Sequence, residues 1–185
     1  MRIFLEAGAG FNRGKDVYGR EIVGSAESEN IVKSCAAFLT SQKEIRDQDI
    51  KVLQTKHAVE RLEDIDADDL LVSVHVNLYR DAAGEGLRGF YRSSRKHNSE
   101  KCKALAITVT KGLHDHVDLY YHGVFNEQLY SSPALEPVVQ TKGLGALVEV
   151  GFSDGNKDKI NNAMLSKNIG DGIGIGIIRH LSALH

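Results

Sequence analysis

The segment Leu70-Leu71-Val72-Ser73-Val74-His75-Val76 constrains the fold of this chain more than any other. Nearly every position is apolar, so an extended strand built from it has no face to give to water. Strands of that kind occupy the middle of parallel sheets, covered on both sides. Parallel neighbours in turn need long crossover connections, usually helices, and the rest of the chain supplies them. Arg2 to Ala7 reads as a first strand ending in the turn Gly8-Ala9-Gly10, and 11–24 as a long surface loop. Ile31, Val32, Cys35, Phe38 and Leu39 recur at helical spacing and predict a helix over 26–41, with Ser25 as its N-cap. Further strands are predicted at 50–54, 87–91, 117–121 and 147–152. Helices are predicted at 57–63, 99–112 and, in two pieces, 156–180. In the last piece Gly170, Gly172, Gly174 and Gly176 lower helix propensity but permit close packing on a sheet. This alternation predicts a single α/β domain over residues 1–185, with a twisted, mostly parallel sheet flanked by helices.

Composition narrows the partners. The 185 residues carry 23 Lys plus Arg against 25 Asp plus Glu, a formal net charge of −2. Phosphate binding needs a basic surface, so nucleic acid is excluded as the main partner. Two cysteines, Cys35 and Cys102, cannot make a disulfide framework or a four-cysteine zinc site. Each falls in an apolar helical pattern and reads as a buried free thiol. No apolar stretch is long enough to insert into a membrane, and no signal-peptide pattern precedes the first strand. No linker, low-complexity run or internal repeat divides the chain, and nothing in it reports an oligomeric state.

Three acidic or basic side chains interrupt or border apolar segments. His75 lies near the end of its strand, Glu149 lies inside the strand Leu147 to Phe152, and Glu27 lies in the first turn of a helix. In open α/β sheets functional groups gather at the carboxyl ends of strands and at helix N-termini. A histidine and a glutamate there can hold a divalent metal, with a second glutamate as base. Each also has a plainer reading: a hydrogen-bonded core histidine, a helix-dipole partner for Glu27. Glu149 resists the plain reading most, because a carboxylate in a buried strand needs a metal, a cation or a proton.

The order of several short motifs resembles one family. Ile3-Phe4-Leu5-Glu6-Ala7-Gly8-Ala9-Gly10 is similar to an opening strand that reads Ile-Phe-hydrophobic-Asp-x-Gly-His-Gly. Gly24-Ser25-Ala26-Glu27 is similar to a Gly-x-x-Glu helix start. Asp68-Asp69-Leu70-Leu71-Val72-Ser73-Val74-His75-Val76-Asn77 resembles Ala-Asp-x-x-x-Ser-x-His-x-Asn. Arg88-Gly89-Phe90-Tyr91 resembles the strand that follows, and Leu147-Val148-Glu149-Val150-Gly151-Phe152 resembles Leu-x-Glu-x-Gly-Phe. These are the motifs of zinc-dependent N-acetylmuramoyl-L-alanine amidases, the family of autolysins, sporulation lysins and phage endolysins. The resemblance implies a peptidoglycan hydrolase with Zn2+ as cofactor. It implies Glu27 and His75 as zinc ligands and Glu149 as the catalytic acid/base, and Asn77 is a candidate substrate contact. It implies a protein made in the cytoplasm and acting at the cell wall after release or export, or a domain excised from a secreted protein.

One position departs from the pattern. The histidine of the Gly-His-Gly turn, the family's first zinc ligand, falls on Ala9, which has no lone pair to give, and Glu6 replaces the usual Asp. The expectation is a hydrolase impaired in zinc binding and activity. Three explanations stand: an engineered His→Ala change, a binding-only relative, or a replacement ligand from the loop, where Asp16 and Glu21 are the candidates. Retention of Glu149, a liability without a metal, favours the first.

Rival readings are a phosphate-binding loop and a non-catalytic cell-wall binding domain on the same fold. The loop reading rests on Ala9-Gly10-Phe11-Asn12-Arg13-Gly14-Lys15 and fails at Asp16, where a hydroxyl belongs. His114-Asp115-His116 reads as a solvated turn and His122 as a groove or loop residue. Arg92, Arg95, Lys96, Lys101 and Lys103 read as a solvated basic face.

Overall fold

The computed structural model describes residues 1–8, 25–45, 48–53, 62–79, 82–93, 98–129, 135–159 and 162–184. The apolar run forms the strand expected of it, β3 (Leu70–Tyr79), three residues longer than its hydrophobic part. It lies third in a six-stranded sheet of order β2-β1-β3-β6-β4-β5. The others are β1 (Arg2–Ala7), β2 (Asp49–Leu53), β4 (Gly86–Tyr91), β5 (Tyr121–Asn126) and β6 (Leu144–Ser153). β2, β1, β3 and β6 are parallel; β4 pairs antiparallel to β6, and β5 parallel to β4. The α/β class and the mostly parallel sheet are therefore as the sequence predicts.

Alternation along each strand divides the sheet into two unlike faces. Ile3, Leu5 and Ala7 of β1, the even-numbered residues Leu70 to Val76 of β3, and Leu144 to Phe152 of β6 point into the main core. That core is capped by three long helices: α1 (Ser25–Ser41), α2 (Ser99–His114) and α4 (Ala163–Ser182). The opposite face carries two smaller apolar clusters, one around Phe4, Leu62, Ile65 and Leu71, the other around Phe90, Leu135, Val138 and Leu147. The short helix α3 (Glu136–Gln140) covers part of it. Glu6, Ser73, His75, Asn77, Tyr79, Arg88 and Glu149 project from this second face, by the same alternation.

The structure corrects several expectations. The strand expected at 117–121 begins only at Tyr121 and runs to Asn126. The helix expected at 57–63 falls mostly outside the described residues; Leu62–Asp64 is a 3-10 turn. The first of the two helical pieces after β6 is a 3-10 turn, Asp154–Lys159. The glycines of α4 serve helix-helix rather than helix-sheet packing. A side chain at Gly170 would come within 2.7 Å of Ile31 O in α1, and one at Gly176 within 2.5 Å of Val109 Cα in α2. Arg92 is not on a solvated face. It is 1% exposed, and its guanidinium donates to the carbonyls of Thr141 and of Gly143 (3.3 Å) beyond the C-terminal end of α3, where orphan carbonyls need donors. Arg95 and Lys96 lie outside the described residues. Cys35 and Cys102 are buried free thiols, and burial pushes both thiols up. Among the described residues no helix is long and apolar enough to cross a membrane.

Candidate functional site

A polar row crosses the middle of the second face. His75 of β3 is the register partner of Glu149 of β6, and Glu149 is the register partner of Arg88 of β4. Directly paired residues project to the same side of a sheet, so three strands set imidazole, carboxylate and guanidinium in one line. Asn77 and Tyr79 follow His75 at intervals of two and continue along the same face.

Glu149 is the best-held group in this row. Oε1 accepts hydrogen bonds from Tyr79 Oη (2.6 Å) and Arg88 Nη1 (3.0 Å), and Oε2 accepts one from Asn77 Nδ2 (2.5 Å). The Arg88–Glu149 ion pair is largely removed from water, with side chains 12% and 13% exposed. Burial first, and then the charge and hydrogen bond of Glu149, push the Tyr79 phenol up, so it remains a donor. The need that the sequence posed for Glu149 is met by a cation. The stability argument for a metal at this carboxylate, and for an engineered origin of Ala9, loses its basis.

His75 and Glu27 are in the opposite condition. Both are buried, and among the described residues His75 Nε2 and Glu27 Oε2 have no hydrogen-bond partner. Burial lowers the His75 pKa to about 4, so the imidazole is neutral and its nitrogen lone pair free at neutral pH. The amide of Gly8 donates to Val74 O (2.8 Å), extending the β1–β3 ladder, and a Cβ at Gly8 would overlap the His75 ring. Only glycine lets the backbone pass that close. Glu27 sits in the first turn of α1, which packs on β1 and β3. Beneath His75 on the same face, Glu6 accepts a hydrogen bond from Ser73 Oγ. Burial raises its pKa to about 7 despite that bond.

An imidazole nitrogen and a carboxylate oxygen, both buried and bare, are donors that zinc takes. Bareness alone does not mark a ligand: Ser28, Gln48, Ser93 and His180 also have buried side-chain atoms without a hydrogen bond. The donors fit zinc in kind and fall short in number. Among the described residues no group of three His, Cys, Asp or Glu side chains could hold a metal ion. Ala9, Asp16 and Glu21 lie outside the described residues.

The structure thus joins His75, Asn77 and Glu149 and leaves Glu27 without a described link to them. Sequence reasoning passed over Tyr79 and treated Arg88 only as part of a strand motif. The signal for Tyr79 was available, since positions 75, 77 and 79 share one face once the strand runs to its full length. Arg88 is reachable only through a strand pairing between residues 61 apart. His122 lies beside Arg88, with Nε2 2.6 Å from Glu85 O. His114 ends α2, and Asp115 forms an exposed ion pair with Arg179 (2.5 Å), as a solvated turn allows.

A family model described as N-acetylmuramoyl-L-alanine amidase matches residues 25–179. The matched span contains Glu27, His75, Asn77 and Glu149 and begins after Ala9. No curated protein sequence matches the chain. Several solved structures share the fold. An N-acetylmuramoyl-L-alanine amidase from Clostridium difficile 630 superposes with a TM-score of 0.71 at 20% identity, covering 100% of this chain and 98% of that one. The CwlD amidase from Clostridioides difficile, solved in complex with the GerS lipoprotein, has a TM-score of 0.75 at 16% identity, covering 98% of each chain. The catalytic domain of CwlV from Bacillus (Paenibacillus) polymyxa var. colistinus has a TM-score of 0.73 at 17% identity, covering 98% and 99%.

Proposed function

Because the chain belongs to the N-acetylmuramoyl-L-alanine amidase family, we propose that it is a peptidoglycan hydrolase directed at the amide between N-acetylmuramic acid and L-alanine. Its place of action is the cell wall, reached by release or export, or as a domain of a secreted protein. The observation that carries the reading is the row in which a bare neutral imidazole and a held carboxylate stand side by side on adjacent strands.

Each residue in that row, and Glu27 outside it, has a separable task. His75 Nε2 and Glu27 Oε2 would hold Zn2+. Zinc supplies a polarised amide carbonyl and a water of lowered pKa when bound. Burial keeps His75 deprotonated, so it can serve as a ligand without first losing a proton. Glu149 is the acid/base, and its hydrogen bonds define which oxygen acts. Oε1 has both lone-pair directions taken, by Tyr79 and Arg88, whereas Oε2 has only Asn77. Oε2 therefore receives the proton of the attacking water and returns it to the leaving amine of L-alanine. Asn77 acts on the carboxylate, and its role is to orient Oε2.

We attribute to Ala9 a weakened zinc site and low activity. The test is release of stem peptides from purified peptidoglycan, with zinc present, by this chain and by its Ala9→His variant. Cleavage by the variant alone is the expected result. Cleavage by both means that another group completes the site, and the account of Ala9 fails. A second reading, a wall-binding domain without catalysis, is favoured by the ion pair of Glu149 with Arg88, because a partnered carboxylate can persist without a metal. Binding to peptidoglycan by both chains, with cleavage by neither, would establish it.

A further inference from the structure

We propose that Arg88 is a positioning residue of the amidase reaction, fixing Glu149 so that a single oxygen faces the water. The inference rests on the hydrolase reading above and adds a residue to its machinery.

The argument begins with strand direction. β4 runs against β6, and its register sets Arg88 opposite Glu149 on the same face. From there the guanidinium is held on several sides. Nη1 lies 3.0 Å from Glu149 Oε1, 3.1 Å from Gly84 O and 3.4 Å from Tyr79 Oη. Its carbon sits 5.1 Å from the centroid of the Tyr79 ring. Nη2 lies 3.3 Å from His122 Nε2, the same nitrogen that lies 2.6 Å from Glu85 O, so that nitrogen either donates to the carbonyl or accepts from Nη2. The corner that supplies these carbonyls is itself pinned. Glu85 accepts hydrogen bonds from the amide of Ser153 (3.0 Å), from Ser153 Oγ and from Asn156 Nδ2 (2.5 Å), tying it to the end of β6.

A substrate-binding arginine needs free N–H groups and room to move. Arg88 has little of either: its side chain is 12% exposed and Nη1 is shared among Glu149 Oε1, Gly84 O and Tyr79 Oη. A structural arginine far from chemistry would not be aimed at the family's acid/base position. What remains is control of the carboxylate. With Tyr79, Arg88 fills Oε1 and stops the carboxylate from rotating, so Oε2 is the oxygen presented. A planar fork does this better than an ammonium, which donates from a single point.

The experiment compares Arg88→Ala and Arg88→Lys, each in the Ala9→His chain with zinc, following stem-peptide release with kcat and KM resolved. Arg88→Ala is expected to lower kcat about 10–100-fold, as loss of an outer-shell partner does, with KM unchanged. Added guanidinium chloride at non-denaturing concentration is expected to restore part of the loss. Arg88→Lys should fall between the two. An unchanged kcat overturns the proposal. So does a loss confined to KM, or a folded Arg88→Ala chain that guanidinium does not rescue. Should Arg88→Ala fail to fold, Arg88→Lys decides alone: lower kcat at equal KM supports the proposal, and equal kcat overturns it. An inert Ala9→His parent overturns the hydrolase reading itself, and is distinct from an active parent that ignores Arg88.

Discussion

Glu149 and His75 are neighbours in one register, yet their surroundings are opposites. Glu149 has a cation and two neutral donors, drawn from β4 and β3. Among the described residues a buried nitrogen of His75 has no partner, and neither has one oxygen of Glu27. The Glu149 end is complete in protein alone. The His75 and Glu27 end has two bare donor atoms among the described residues, with Gly8 pressed against the imidazole ring. The difference separates two questions that the sequence had fused. Retention of Glu149 reports on its own hydrogen bonds, and says nothing about a metal. If a metal is needed for stability, the need lies at His75 and Glu27.

The sharpest way to break this contrast is Glu149→Gln without zinc. The change leaves the largely buried guanidinium of Arg88 without its counter-charge, a loss expected to cost about 3–5 kcal/mol. Denaturant unfolding measures it, and no change in midpoint would mean that the ion pair does not hold the site together.

A smaller effect comes from the pH dependence of the ligand end. Glu6 has a folded pKa raised from 4.5 to about 7. It therefore favours the folded state fully below pH 4.5 and loses that contribution as pH rises through about 7. His75 has a folded pKa lowered from 6.5 to about 4, so its contribution is present above pH 6.5 and is lost as pH falls through about 4. Between those limits the two oppose each other. Glu6→Gln should raise stability relative to the parent increasingly from pH 4.5 to about 7, by at most roughly 3 kcal/mol, and leave a profile that declines only toward acid. A constant offset across urea midpoints from pH 4 to 8 would rule out a titrating Glu6. The smallest effect is expected at Glu27. Glu27→Gln without zinc should raise stability by about 1 kcal/mol, since the bare, buried carboxylate oxygen loses its charge and no described hydrogen bond to it is lost. A drop as large as that of Glu149→Gln would erase the contrast.

Much of this was legible in the sequence, and the reasons differ by element. β3 was readable because burial on both faces leaves a continuous apolar run, and α1 and α2 because their apolar positions recur at helical spacing. β5 was misplaced: all six residues of Tyr121–Asn126 are half-buried, and such a strand carries neither an apolar run nor a clean alternation. The buried Arg92 read as part of a basic surface because composition does not say where a guanidinium points. His75 and Glu149 announced themselves as polar breaks in apolar strands. The partners of Glu149 did not, because Arg88 reaches it through a pairing across the sheet that no local pattern encodes. The glycines of α4 were seen, but their packing partner was mistaken, since periodicity cannot tell a helix neighbour from a strand.

The reversal of direction between β6 and β4 has a consequence for how such a protein can diversify. β3 and β6 finish at the rim of the sheet where β4 and β5 start. The corner before β4, the turn entering β5 and the 3-10 turn after β6 all lie there. The row of His75, Glu149 and Arg88 is laid down by strand register, while the described part of its surroundings is supplied by three separate stretches of chain. Each stretch can be lengthened, shortened or exchanged without disturbing the register. The surroundings of the row are in that sense modular, open to revision one loop at a time while the row itself stays anchored in the sheet.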